Sequence, residues 1–261
     1  MNLSLEGKNA LICGSSQGIG LAIATELALM GANCTLFARN TTSLQEAVLH
    51  LDNTLQQEHD TLVADFSKPD EVKQVIEQYV KDKPVHILIN NTGGPAAGPI
   101  VDAGEEQFLA AFNQHLICNH ILTQAVVSSM KAAGYGRIIN IISTSVKVPL
   151  KNLGVSNTIR GAVASWAKTM SNELAEFGIT VNNVLPGATK TQRLSSIINN
   201  NANKQQKEIE QVELEMQKEI PAKRFGEPGE IAAVAAFLAT PAAAYVNGTS
   251  IPVDGGRTGA I

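Results

Sequence analysis

The segment Cys13-Gly14-Ser15-Ser16-Gln17-Gly18-Ile19-Gly20 joins an apolar run to an amphipathic stretch. Its glycines let the chain turn tightly and bring backbone N–H groups close to an anion. A helix starting at that point adds partial positive charge to the same place. The combination suits a pyrophosphate. No Gly-Lys-Ser/Thr follows, so a nucleoside-triphosphate loop is excluded. A second apolar run ends in Leu36-Phe37-Ala38-Arg39-Asn40. A carboxylate there would bond a ribose 2′-hydroxyl, but Ala38 supplies none. Arg39, beside Asn40, offers a fork of donors to a 2′-phosphate. The glycine turn and this arginine together point to NADP(H) rather than NAD(H). Histidine titrates near neutrality, and His115 lies in a largely apolar helical pattern with Asn119 on the same face. His115 and His120 point to different sides, so no metal pair is expected.

These residues need a frame. Short apolar runs at Asn9–Cys13, Cys34–Ala38, Thr61–Ala64, His86–Ile89, Arg137–Ile142, Thr180–Val184 and Ser250–Val253 read as strands. Amphipathic stretches at Ile19–Met30, Glu71–Val80, Gln107–Met130 and Val155–Phe177 read as helices between them. That alternation predicts an α/β, Rossmann-type, doubly wound parallel sheet of about seven strands with helices on both faces. No repeat, linker or composition break divides residues 1–261, which read as a single domain. The stretch Ser195–Glu219 is rich in Asn, Gln, Lys and Glu, and reads as a polar, mobile helical excursion on the substrate side.

Five motifs stand in order along the chain: Gly14-xxx-Gly18-Ile19-Gly20, Asn90-Asn91-Thr92-Gly93, Asn140-Ile141-Ile142-Ser143, Pro186-Gly187-xxx-Thr191 and Val253-Asp254-Gly255-Gly256. In that order and spacing the chain resembles the short-chain dehydrogenase/reductase family over essentially its whole length, and the 3-oxoacyl-carrier-protein reductase branch in particular. The resemblance implies that Asp65 with Phe66 seats an adenine, and that Asn91, Thr92 and Gly93 line the adenosine side. It further implies that Pro186, Gly187, Thr189 and Thr191 hold the carboxamide and phosphates of the cofactor.

Family members orient and protonate the substrate oxygen with a Ser, a Tyr made more acidic by a Lys, and a supporting Asn. Ser143 matches the family Ser. The Tyr-x-x-x-Lys segment, however, becomes Ser156-Asn157-Thr158-Ile159-Arg160, and the Asn position aligns with His115. The only tyrosines are Tyr79, Tyr135 and Tyr245, all outside this segment. A serine hydroxyl is a far weaker acid than a phenol, and Arg160 keeps its proton at working pH. Arg160 can still bond the nicotinamide ribose one turn from Ser156. His115 offers a replacement acid, and Lys147 and Lys151 follow Ser143 closely enough to reach the substrate mouth.

Three functions fit these residues. One is an NADPH-dependent reductase of a carbonyl, such as a 3-oxoacyl thioester, with a variant acid. The second is a reductase of a conjugated enone, where the developing enolate needs only hydrogen-bond donors and water protonates carbon. The third is a catalytically retired cofactor-binding scaffold or redox sensor. Of the 261 residues 44% are hydrophobic and 17% charged, with a formal net charge of -4, which fits an enzyme with a large core. No Lys/Arg-rich run or long apolar run is present, so neither nucleic acid nor membrane is an expected partner. Cys13, Cys34 and Cys118 lack CxxC spacing, and no export signal is visible, so a reduced, cytoplasmic protein is expected. The apolar helices and the Val253–Ile261 tail suggest a homotetramer.

Overall fold

The computed structural model describes residues 1–260. Seven strands form one parallel sheet: β1 (Asn9–Cys13), β2 (Asn33–Ala38), β3 (Asp60–Val63), β4 (Ile87–Asn90), β5 (Gly136–Ile141), β6 (Ile179–Pro186) and β7 (Ser250–Val253). Their order is β3-β2-β1-β4-β5-β6-β7. Each expected strand is present: β1 and β7 have the expected bounds, and the ends of the other five shift by one or two residues. The order reverses between β1 and β4, and ligands of such sheets bind in the crevice beyond the strand ends at that switch.

Successive strand residues feed opposite cores, which is why the strands read as unbroken apolar runs. Ala10, Ile12, Ile87, Ile89, Ile139 and Ile141 pack on one face, against α1 (Gly18–Leu29) and α9 (Pro228–Ala239). Leu11, Cys13, Leu88 and Ile138 pack on the other, with α3 (Pro69–Tyr79), α5 (Cys118–Ala133) and α6 (Gly154–Leu174). A short helix α2 (Thr41–Val48) links β2 to β3.

Two expectations change in detail. The helix read over Gln107–Met130 is three pieces: α4 (Glu105–Phe112), a π-turn at Asn113–Ile117, and α5. A π-turn inserts one residue into the 3.6-residue repeat and so rotates the facing of the side chains beyond it. The stretch Ser195–Glu219 falls in α7 (Gln192–Gln205) and α8 (Ile209–Lys218), and these helices have a small core of their own. Leu194, Ile198 and Ala202 repeat every four residues along one face of α7 and close on Val212, Ile220 and Phe225. Sparse apolar residues at the right period suffice to anchor a polar helix. Ile261, the end of the tail expected at an interface, lies outside the described residues. No described helix is long and apolar enough to cross a membrane.

Candidate cofactor and active site

The turn after β1 is built around its glycines. Gly14 has φ +59, and a Cβ there would lie 2.5 Å from the Asn91 carbonyl oxygen. Asn91, just past β4, donates its Nδ2 to the carbonyls of Cys13 (3.3 Å) and Gly14 (3.1 Å), tying the two strand ends together. A Cβ on Gly20 would fall onto the Gly14 carbonyl, so helix and turn pack backbone to backbone. Gly18 has φ +60, and a Cβ on it would touch the Thr191 methyl at 3.4 Å. Gln17 opens α1 without a side-chain cap, which leaves the first-turn N–H groups to a ligand. A cradle that any side chain would fill, closed by uncapped N–H groups, fits a dinucleotide pyrophosphate.

Several expected cofactor residues have duties inside the chain. Ser15 is fully buried; its hydroxyl donates to Ile12 O (2.7 Å) and accepts from Phe37 N (3.0 Å), so it shapes the turn and faces no ligand. Ser16 and Ile19 stay partly open on the cradle. The Phe66 ring is buried against Phe37, with centroids 5.0 Å apart, and is no platform for an adenine. Asp65 accepts from Ser67 N at 2.9 Å. Hydrogen bonds from Ser67, then the charges of Lys68 and Arg39, hold its carboxyl below the usual range. Asn40 caps α2 by accepting from Ser43 N at 2.9 Å. Arg39 is exposed at the end of β2.

On the far side, Pro186 closes β6 and Gly187 N donates to Val253 O at 2.9 Å. Thr189 is buried, with its hydroxyl on Gly187 O (3.1 Å). Thr191 caps α7 through Leu194 N (3.4 Å) and donates to Thr189 O (3.2 Å). Two threonines thus hold this loop in shape opposite the glycine turn. Gly93, past the end of β4, is exposed, its carbonyl accepting from Gln114 Nε2 at 3.2 Å.

Ser143 follows β5 in extended backbone and accepts from Ser145 N at 3.1 Å. That bond occupies a lone pair and leaves the hydroxyl proton to donate outward. Ser156 and Arg160 sit one turn apart on α6, both buried. Arg160 is 7% exposed. Its NH1 donates to Ile141 O at 3.2 Å, and its Nε is buried without a partner. Burial, then the charge of Arg193, pushes Arg160 down to about 10, so it remains a cation at neutral pH. Tyr79 and Tyr135 bond Thr35 and Ala239 near the opposite strand ends, and Tyr245 is fully exposed ahead of β7. Lys147 and Lys151 are exposed in the loop after Ser143.

His115 corrects the expectation of a replacement acid. It lies in the π-turn at 1% exposure, with Nδ1 2.6 Å from Thr92 Oγ1 and Nε2 buried without a partner. Burial, reinforced by the charges of Arg160 and Arg193, pushes it down to about 2. A ring that is neutral throughout the working range positions Thr92 and holds no proton to give as imidazolium. Its ordinary value is 6.5, so the stability it contributes is fully present above 6.5 and lost as pH falls from there toward 2. Urea midpoints of wild type should therefore drop more between pH 6.5 and 5 than those of His115→Asn; parallel profiles would disprove the buried neutral ring. His120 is occupied by Trp166 Nε1 at 3.4 Å, and no group of metal-ligating side chains exists among the described residues.

Two features were missed from the sequence. A buried amide ladder crosses the sheet under the site: Asn90 Nδ2 donates to Asn140 Oδ1 (2.9 Å), Asn140 Nδ2 to Asn183 Oδ1 (3.0 Å), and Asn183 Nδ2 to Ser250 Oγ (3.0 Å). These residues are direct neighbours in the strand register. The other is Arg193, in the first turn of α7, which donates to Gly94 O (2.9 Å) and Pro95 O (2.8 Å) across the crevice. An arginine a few residues past a Pro-Gly pair gave no signal by itself.

Comparison with known proteins agrees with this arrangement. The family model described as enoyl-(acyl carrier protein) reductase matches residues 14–258. The chain is 33% identical to 2-dehydro-3-deoxy-D-gluconate 5-dehydrogenase of Bacillus subtilis, over 97% of this chain and 95% of that protein. It is 32% identical to a 3-oxoacyl-[acyl-carrier-protein] reductase of Vibrio cholerae, over 97% and 98% of the two chains. The L-sorbose reductase of Gluconobacter frateurii, solved with NADPH and L-sorbose, superposes with a TM-score of 0.93 at 29% identity and full coverage of both chains. With its sheet order, its glycine turn and these relatives, the chain belongs to the short-chain dehydrogenase/reductase family of oxidoreductases.

Proposed function

We propose that the protein is an NADP(H)-dependent reductase whose site has Ser143 as its oxygen-orienting donor and no phenolic acid. The observation that carries this reading is Ser143, with a free hydroxyl proton, at the same strand ends as the glycine cradle and the buried Arg160 cation. The glycine turn would hold the pyrophosphate, Arg39 the 2′-phosphate, and Arg160 the nicotinamide ribose. Bound NADPH would supply a hydride to a carbonyl carbon or to the β-carbon of an enone. Ser143 donates a hydrogen bond to the oxygen on which charge develops, and Arg160 adds a positive field beneath it. Ser156 offers a hydroxyl too weak to serve as acid, so the proton comes from water.

The substrate is a small carbonyl compound, a 3-oxoacyl thioester, or a conjugated enone. The neutral His115 favours the enone among these, because protonation of carbon can follow hydride transfer without a positioned acid. Intact Ser143 and an intact cradle argue against a retired scaffold. The test is NADPH consumption against 3-oxoacyl thioesters, sugar ketones, keto acids and enones, with products identified. Consumption with none of them, by protein that binds NADPH, would favour the scaffold.

Arg39 forms no ion pair among the described residues and stands exposed where a 2′-phosphate would arrive. Arg39→Ala should weaken NADPH about tenfold, the equivalent of one charge-assisted contact, and leave NADH nearly unchanged, as read by cofactor fluorescence. Equal losses for the two cofactors would refute the assignment. The protein further assembles as a cytoplasmic homotetramer in this proposal, supported by Leu109 and Phe112 exposed on α4. Multi-angle light scattering at micromolar concentration should give four times 27.6 kDa; a monomer would contradict it.

A further inference from the structure

Two arginines converge on the active-site crevice without a carboxylate between them. Arg160 is buried, has one hydrogen bond to a backbone carbonyl, and keeps an unpartnered Nε. Arg193 reaches from α7 to Gly94 and Pro95, just beyond the Thr92 that bonds His115. His115 in turn keeps an unpartnered, buried Nε2. Neither arginine forms an ion pair with any described acidic side chain. The two cations repel each other through the crevice, and both press on the imidazole. Burying a cation without a counter-charge costs several kcal/mol, a cost that a bound anion offsets.

The anionic parts of the cofactor are accounted for elsewhere. In the reductase reading, the pyrophosphate goes to the turn at Gly14–Gly20 with the Thr189–Thr191 loop opposite it, and the 2′-phosphate to Arg39. The nicotinamide ribose and ring, which reach Arg160, carry no negative charge. An anion at Arg193 would then come from the molecule that is reduced.

We propose that Arg193, with Arg160 behind it, binds an anionic group of the substrate, a carboxylate or a phosphate, and so selects oxo compounds that carry one over neutral ketones. The guanidinium of Arg193 has donors left after its two backbone bonds, and its planar fork suits either anion. Gln114 and Arg193 both hold the loop at Gly93–Pro95, so the loop is braced beside the incoming group. That the anion belongs to a substrate rests on the reductase reading; the anion site itself can be tested without it.

The test is calorimetric binding of three matched six-carbon polyols to the full chain, with and without NADP+: D-gluconate, D-glucitol 6-phosphate and uncharged D-glucitol. At least one of the charged ligands should bind about tenfold or more tighter than glucitol, and the stronger of the two names the anion. Arg193→Gln should remove that preference, Arg193→Lys should keep part of it, and NADP+ affinity should hold in both. Arg193 is exposed, so neither variant threatens the core. Equal binding of all three ligands, or none by any, would overturn the proposal. So would a loss of NADP+ affinity in Arg193→Gln as large as the loss of the anion, because Arg193 would then serve the cofactor. Failure of NADP+ to bind the wild type would sink the reductase reading, while the preference measured without cofactor would still decide the anion site.

Discussion

Replacing Ser143 with alanine should lower turnover on the true substrate about 10²–10³-fold, the usual cost of removing a preorganised donor to a developing oxyanion. NADPH affinity should barely change, because the Ser143 hydroxyl bonds Ser145 N and takes no part in holding the glycine cradle. The size of the effect comes from geometry: Ser145 N already fixes Ser143 Oγ at 3.1 Å, so the hydroxyl orients before substrate arrives. Ser156→Ala should be mild by comparison, since a serine hydroxyl is too weak an acid to serve as the proton donor. Steady-state kinetics on the two variants separates the roles. A Ser156→Ala variant as damaged as Ser143→Ala would show that position 156 handles the proton. The double change Ser156→Tyr with Arg160→Lys asks the converse, and gain of ketone reduction in it would support an acid-free wild-type site.

The second large effect concerns the sheet. Asn140→Leu should cost about 2–6 kcal/mol, because it strips partners from two buried amides at once and each orphaned group costs about 1–3 kcal/mol. Asn90 would be left with neither amide atom bonded, since its Oδ1 already lacks a partner. Asn183 would lose its acceptor contact and keep only Ser250. At about 2–4 °C per kcal/mol for a chain of this size, the melting temperature should fall by roughly 4–24 °C. Differential scanning calorimetry reads this directly, and a fall within error would mean the ladder is dispensable. The same ladder stands one residue before Asn91 and three before Ser143. Surviving protein should therefore also bind NADPH less tightly, as the strand ends lose their common register.

The sequence determined the parts of this protein that depend on neighbours along the chain. Apolar runs feeding two cores marked the strands, and the glycine turn marked the anion cradle. Both signals are local, because side-chain alternation and the left-handed φ at Gly14 and Gly18 are set within a few residues. The departures at Ser156 and Arg160 were legible for the same reason: they interrupt a fixed spacing.

Tertiary structure alone decided what each of those side chains faces. Ser15 and Phe66 sit in cofactor motifs, yet each turns into the core because β2 lies alongside. His115 looked like a titrating acid on an amphipathic helix. The π-turn buries it against Thr92 within the field of two arginines, and desolvation keeps the ring neutral. The amide ladder joins residues 90, 140, 183 and 250, and only parallel pairing of four strands makes them neighbours. Arg193 is an ordinary polar helix residue by sequence, and crosses the crevice because Leu194, Ile198 and Ala202 anchor α7 beside it. Burial and long-range contact set charge state and partner, and neither is written in local spacing.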